Sequence, residues 1–253
     1  MSRKSATRKG IYILARRRSM RHVRQPCPAP AGSQTDPLGL LWLKAFFHRE
    51  VGSLKRIHTL KERTSKPQFF LRGDASTSGM GDILLDANGN PISFWADSIN
   101  SLDRERLNTC EGDPAFMGEW ELLRILVSLH VWGPKLRGMS GAFVIQADSQ
   151  AALGAALKLC SPRTLMNVIA AEISLVMERY NIEKLVGEHF RGTLNVEADA
   201  LSRLWEGADL PPSLRSIPRA NVPCRDDTFY QAWPSKKHRQ HRKSDKPVGP
   251  VPY

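Results

Sequence analysis

The chain has only four cysteines in 253 residues, Cys27, Cys110, Cys160 and Cys224, and no two of them form a Cys-x-x-Cys pair. That scarcity excludes a zinc module and the dense disulfide framework of a small secreted domain, and it favours a reducing compartment. No apolar run approaches the roughly 20 residues that cross a bilayer, so no membrane partner is expected and the expected location is intracellular, nucleus or cytoplasm. Acid is absent from residues 1 to 25, which carry nine Lys or Arg, and nearly absent from residues 236 to 246, with six Lys or Arg and one Asp. Taking +9 and +5 from the net charge of +12 leaves the middle near −2, so the basicity belongs to the flanks. Such runs are commonly just solvated. Beside phosphates they release counterions and hold a polyanion, and Arg16-Arg17-Arg18 and Lys236-Lys237-His238-Arg239 would be the centres of such arms. The Arg-rich start also has the composition of an organellar transit peptide.

What is present is a hydrophobic fraction of 41%, enough for a core. Pro26, Pro28, Pro30, Gly32 and Pro37 break any helix, which sets a basic, Pro-rich segment, 1–37, apart from the rest of the chain. Residues 38–66 place Leu40, Leu41, Leu43, Phe46, Phe47, Val51, Leu54, Ile57 and Leu60 in the spacing of one or two short helices that pack on the main domain. Three short strands are expected at Gln68 to Ala75, Met80 to Leu85 and Ile92 to Ala96, with Asn88-Gly89 as the hairpin turn between the last two. A polar loop with one helical turn spans 97 to 116, then a long helix runs from about Phe116 to Val131 and stops at Gly133-Pro134. Ala142 to Gln146 is a covered central strand, Asp148-Ser149 opens a helix through Leu159, and a further helix reaches Tyr180. Ile182 to Phe190 is a fifth strand, and a last helix runs from Asn195 to about Trp205. Beyond it, 207–253 reads as a Pro-rich and basic tail in which Phe229, Tyr230 and Trp233 are either a small docking aromatic anchor or, as scattered aromatics more often are, without special role. The class is α/β.

Four acids stand at element boundaries: Asp74, Glu121, Asp148 and Asp199. Any one of them alone reads as a cap. If the first and fourth strands run parallel and adjacent, Asp74 and Asp148 come side by side, with Glu121 reaching them from the long helix and Asp199 from the last. Four carboxylates that close need a counter-charge, and carboxylate ligands without Cys or His suit hard Mg²⁺ or Mn²⁺. Two such ions about 3.5 to 4 Å apart activate water and stabilise a leaving oxygen in phosphodiester hydrolysis, which makes the chain a nuclease. Glu119 lies about 200° around the helix from Glu121, so only one of the two faces the site, and Glu121 begins the apolar run.

Gly73-Asp74-Ala75-Ser76 with Gly79-Met80-Gly81, Glu121-Leu122-Leu123, Ala147-Asp148-Ser149 and the stretch Asn195 to Arg203, of the form N-x-x-A-D-x-L-S-R, occur in this order over residues 67–206. This pattern resembles the ribonuclease H domains of retroelement reverse transcriptases, of gypsy-type elements and tyrosine-recombinase retrotransposons above all. The resemblance implies a ribonuclease H-like fold, a five-stranded mixed sheet of a three-stranded antiparallel meander plus two parallel strands, flanked by helices. It implies cleavage of the RNA strand of an RNA/DNA hybrid with two Mg²⁺ held by Asp74, Glu121, Asp148 and Asp199. His189, ten residues before Asp199, stands where many relatives carry a mobile catalytic His; in gypsy-type sequences a His-x-x-Gly run instead ends the fifth strand, and both readings are open. Arg72, Ser76, Ser149, Gln150, Arg191 and Arg203 are the candidate nucleic-acid contacts. No Tyr-x-Asp-Asp stretch occurs, so the polymerase that precedes such domains is not expected here, 38–66 would be a remnant of its connection, and a separate reverse transcriptase is an expected partner. The alternative is a catalytically inactive nucleic-acid-binding remnant.

Overall fold

The computed structural model describes residues 37–47, 68–109, 112–137, 143–226 and 229–232. Both basic ends, the apolar residues expected in helix at 51–60, Ala142 and Trp233 lie outside these. The sheet is built on β1 (Phe69–Ala75), β2 (Gly79–Asp86) and β3 (Pro91–Ser98), an antiparallel meander. In its second turn Asp86 Oδ1 accepts the N–H groups of Asn88 and Asn90, and Gly89 takes a φ of 86° that a side chain would disfavour. β4 (Phe143–Ala147) lies parallel to β1, and β5 (Leu185–His189) lies parallel to β4, giving the order β3-β2-β1-β4-β5. This is the five-stranded mixed sheet, an antiparallel meander plus two parallel strands, expected from the sequence.

Successive strand residues point to opposite faces, and the two faces carry different cores. Leu71, Ala75, Met80, Leu84 and Ile145 pack with α3 (Met117–Leu136), α4 (Gln150–Lys158) and α5 (Thr164–Arg179). Ile83, Leu85, Phe94 and Ala96 pack with Leu201 of α6 (Val196–Ser202) and with Leu214. α1 (Pro37–Phe47) docks on α5, where Trp42 Nε1 donates to Ser174 Oγ at 2.9 Å and Ala45 is buried beside Leu175.

Several expectations are corrected by packing. α3 does not stop at Gly133-Pro134 but runs through both to Leu136. Pro134 sits in the last turn, where it removes one hydrogen bond, and Gly133 lets the Tyr180 ring lie against the helix: a Cβ there would stand 2.2 Å from Tyr180 Cδ2. The polar loop contains a seven-residue helix, α2 (Ser101–Leu107), started by a reciprocal capping box between Asn100 and Asp103. Packing also continues past Trp205. The backbone of Phe94 exchanges hydrogen bonds with Pro218 and Ala220, covering the edge of β3. Arg225, 1% exposed, binds Asp97, Asp103 and the Ser98 carbonyl. Tyr230 donates to Asp103 Oδ1 at 2.7 Å, Phe229 stacks on His130, and the N–H groups of Gln231 and Ala232 reach Glu172. Phe229 and Tyr230 are therefore core residues.

Candidate metal centre

Asp74 lies near the end of β1, Asp148 follows the last residue of β4, and the parallel register that pairs Arg72 with Gln146 carries the two acids to the same place. Glu121 comes from the second turn of α3 on the helical face. One carboxylate oxygen of each lies within 4.8 Å of the others. The three differ in setting: Glu121 is buried, Asp74 partly so, and Asp148 exposed. Glu121 is fixed by the Ala75 N–H, which donates to its Oε1 at 2.9 Å, while its buried Oε2 accepts no hydrogen bond. Glu119 is turned away and pairs with Arg163 at 3.2 Å.

Burial is the main reason the proton affinities rise here. It pushes the Glu121 carboxyl up to about 8 against the pull of Arg124, with the Asp74 and Asp148 charges adding to the rise. Asp74 is raised by burial first, with the Asp148 and Asp199 charges adding to the rise and Glu121 and Arg124 opposing it. Without a counter-ion Glu121 holds a proton at neutral pH that it would surrender to a cation. Such a set, all carboxylate with one buried oxygen unspent, fits a hard divalent ion.

Asp199 lines the same cleft, with Met117, Gly118, Ser149 and Arg203, but is half exposed and pairs through Oδ1 with Arg203 Nε at 2.8 Å. The elements around it lock α6 to β1. Asn195 Nδ2 donates to the Gly73 carbonyl at 3.1 Å, and Ser202 Oγ lies 3.2 Å from Asp74 Oδ2. Gly192 passes close to Asp148: a Cβ on it would stand 3.0 Å from Oδ2. Neither Ser202 nor Gly192 stands out in the sequence as a site residue, although Ser202 lies inside the N-x-x-A-D-x-L-S-R stretch.

The remaining sequence candidates fall in different settings. His189 ends β5 beside Ala147, exposed, and is not among the residues lining the cleft. Ser149 lines the cleft and caps α4 by accepting the Ala152 N–H, and Gln150 is exposed in the first turn. Ser76 is buried in the β1–β2 turn, where it donates to the Ser202 carbonyl at 2.9 Å. Arg72 donates to Gln146 Oε1 at 2.8 Å and lies over the Phe190 ring at 4.3 Å. Arg191 is exposed just before the turn Gly192–Leu194, and Arg203 bridges Asp199 and Glu206.

No protein family and no curated protein is matched by the chain. Among solved structures it is similar to LC11-RNase H1, a ribonuclease H1 isolated from compost by a metagenomic approach, at 20% identity and a TM-score of 0.38, over 53% of this chain and 89% of that one.

Proposed function

We propose that the chain is a metal-dependent endonuclease of ribonuclease H type that hydrolyses the RNA strand of RNA/DNA hybrids, and that it derives from a retroelement polyprotein. The observation that carries this reading is the convergence of Asp74, Glu121 and Asp148 within 4.8 Å, from two parallel strands and a helix, with Asp199 on the same cleft. Asp74, Glu121, Asp148 and Asp199 would hold two Mg²⁺, or Mn²⁺ in their place. Bound there, the ions would lower the proton affinity of the attacking water and neutralise charge on the phosphodiester oxygens. The protein's own part is to fix the carboxylates: the Ala75 N–H orients Glu121 and Ser202 orients Asp74, partners of the kind that set ligand direction in metal sites. Arg203 would release Asp199 to an ion while Glu206 keeps the guanidinium.

The stretch Asn195 to Arg203 supports the retroelement origin; the basic ends would add grip on phosphates. One observation favours the second reading, an inactive hybrid-binding remnant: Asp199 is already engaged by Arg203. Labelled RNA/DNA hybrid, RNA duplex and DNA duplex, each with Mg²⁺ or with EDTA, separate the two. A nuclease of this type cuts the RNA strand of the hybrid alone, and only with Mg²⁺. Binding of the hybrid without cutting supports the remnant instead.

A further inference from the structure

Behind Glu121 lies a charge that the cleft does not use. Arg124 is wholly buried, one turn further along α3, and its Nη1 donates to Asp82 Oδ2 at 2.6 Å in the middle of β2. Asp82 is fully committed: the same oxygen accepts from Ser128 Oγ at 2.7 Å, and Oδ1 accepts the Ile83 N–H at 2.9 Å. Ser128 is in turn held by Trp95 Nε1 at 3.1 Å. Arg124 is not fully committed. Its Nη2 has no hydrogen bond and lies 3.6 Å from Glu121 Oε2, the carboxylate oxygen that also lacks one. The sheet makes room for this arrangement, since a Cβ on Gly73 would stand 2.6 Å from Asp82 Cγ and 2.7 Å from Arg124 Cδ.

A buried ion pair is weak evidence for stability, because desolvation consumes most of the attraction and an apolar pair of similar volume is often as good. A buried arginine tied on one side and spare on the other, aimed at a metal-cluster carboxylate, has a use that stability does not supply. We propose that Arg124, held from behind by Asp82, is a buried counter-charge to Glu121 that sets how tightly the acidic cluster takes a divalent cation. The role rests on the metal-centre reading. Arg124 competes with the ion for Glu121, and Asp82 limits that competition by drawing the guanidinium back.

The charges then predict opposite signs for two changes in one place. In Asp82→Asn, Arg124 is left to the cluster acids, Glu121 first and Asp74 after it, and Mn²⁺ binding weakens by about tenfold, the repulsion between cations a few ångströms apart surviving an effective dielectric of about 20. In Asp82→Asn/Arg124→Met the cation is gone, and Mn²⁺ binds at least as tightly as to wild type. Arg124→Lys, which can keep the pair with Asp82 but has no second arm for Glu121, shifts in the direction of the double variant. The experiment is a Mn²⁺ titration of the full chain read by the electron paramagnetic resonance of free Mn²⁺, with circular dichroism melts to select folded protein. Equal affinity in all folded variants, or weakening in Asp82→Asn and the double variant alike, overturns the role and leaves a structural pair. Wild type that takes up no Mn²⁺ overturns the metal reading itself, and the Arg124 role with it.

Discussion

At the level of single side chains, the stretch Asn195 to Arg203 acts through contacts on β1 and β2 as much as through its acid. Asn195 holds the Gly73 carbonyl, Leu201 packs where a Cβ on Gly81 would stand 2.5 Å from its own, and Ser202 reaches Asp74. Ser202→Ala is therefore expected to lower metal affinity or cleavage by about 10- to 100-fold with the fold intact, as loss of a ligand's orienting partner does; a metal titration beside a melt checks it. Asn195→Ala strands the buried Gly73 carbonyl and should cost about 1–3 kcal/mol in denaturant melts. Glu121 brings a pH dependence. Its carboxyl is raised to about 8, so below that pH an incoming ion must displace a proton, and affinity should rise with pH to about 8 and then level. Calorimetry in buffers of different ionisation enthalpy reads the released proton, and none released at pH 7 would contradict the assignment. The three converging acids stand out in the sequence through the stretches around them, Gly73-Asp74-Ala75-Ser76, Glu121-Leu122-Leu123 and Ala147-Asp148-Ser149, although of the three only Asp148 follows directly on the end of an element. Arg124 and Asp82 are not, because nothing along the chain links a mid-strand acid to a helix arginine 42 residues later.

At the level of elements, short apolar runs and the Asn-Gly turn mark the meander, and the central position of β4 between β1 and β5 fits its run of buried residues. Helix ends are less legible. Gly133-Pro134 has the composition of a stop, yet the Tyr180 ring fills the space a side chain would occupy and the helix continues. Gly133→Ala should for that reason destabilise the protein by about 1–3 kcal/mol, although alanine is the better helix former. A thermal or urea melt checks it, and an unchanged or raised midpoint would show that the ring can move aside. α2 is hard to read because its capping residues, Asn100 and Asp103, lie in a polar stretch without an apolar stripe.

At the level of the whole molecule, the segment after Trp205 reads as a tail from its prolines, but prolines are compatible with an extended strap along a sheet edge. Its anchors, Arg225 and Tyr230, meet Asp97 and Asp103 only in three dimensions. A chain ending at Glu206 should lose its cooperative melt. A chain ending at Ala232 should keep the melt and lose salt-sensitive hybrid affinity, because the six Lys or Arg of residues 236 to 246 are gone and each lost phosphate contact lowers the salt slope by about 0.9. No helix of the described residues is long and apolar enough to cross a membrane. That the three converging carboxylates make this sheet a ribonuclease is tested most directly by RNA-strand cleavage of an end-labelled RNA/DNA hybrid with Mg²⁺, comparing wild type with Asp148→Asn. Wild type is predicted to cut the RNA strand, and Asp148→Asn to bind the hybrid without cutting it. Equal cutting by both proteins, or binding without cutting by both, would contradict the ribonuclease reading.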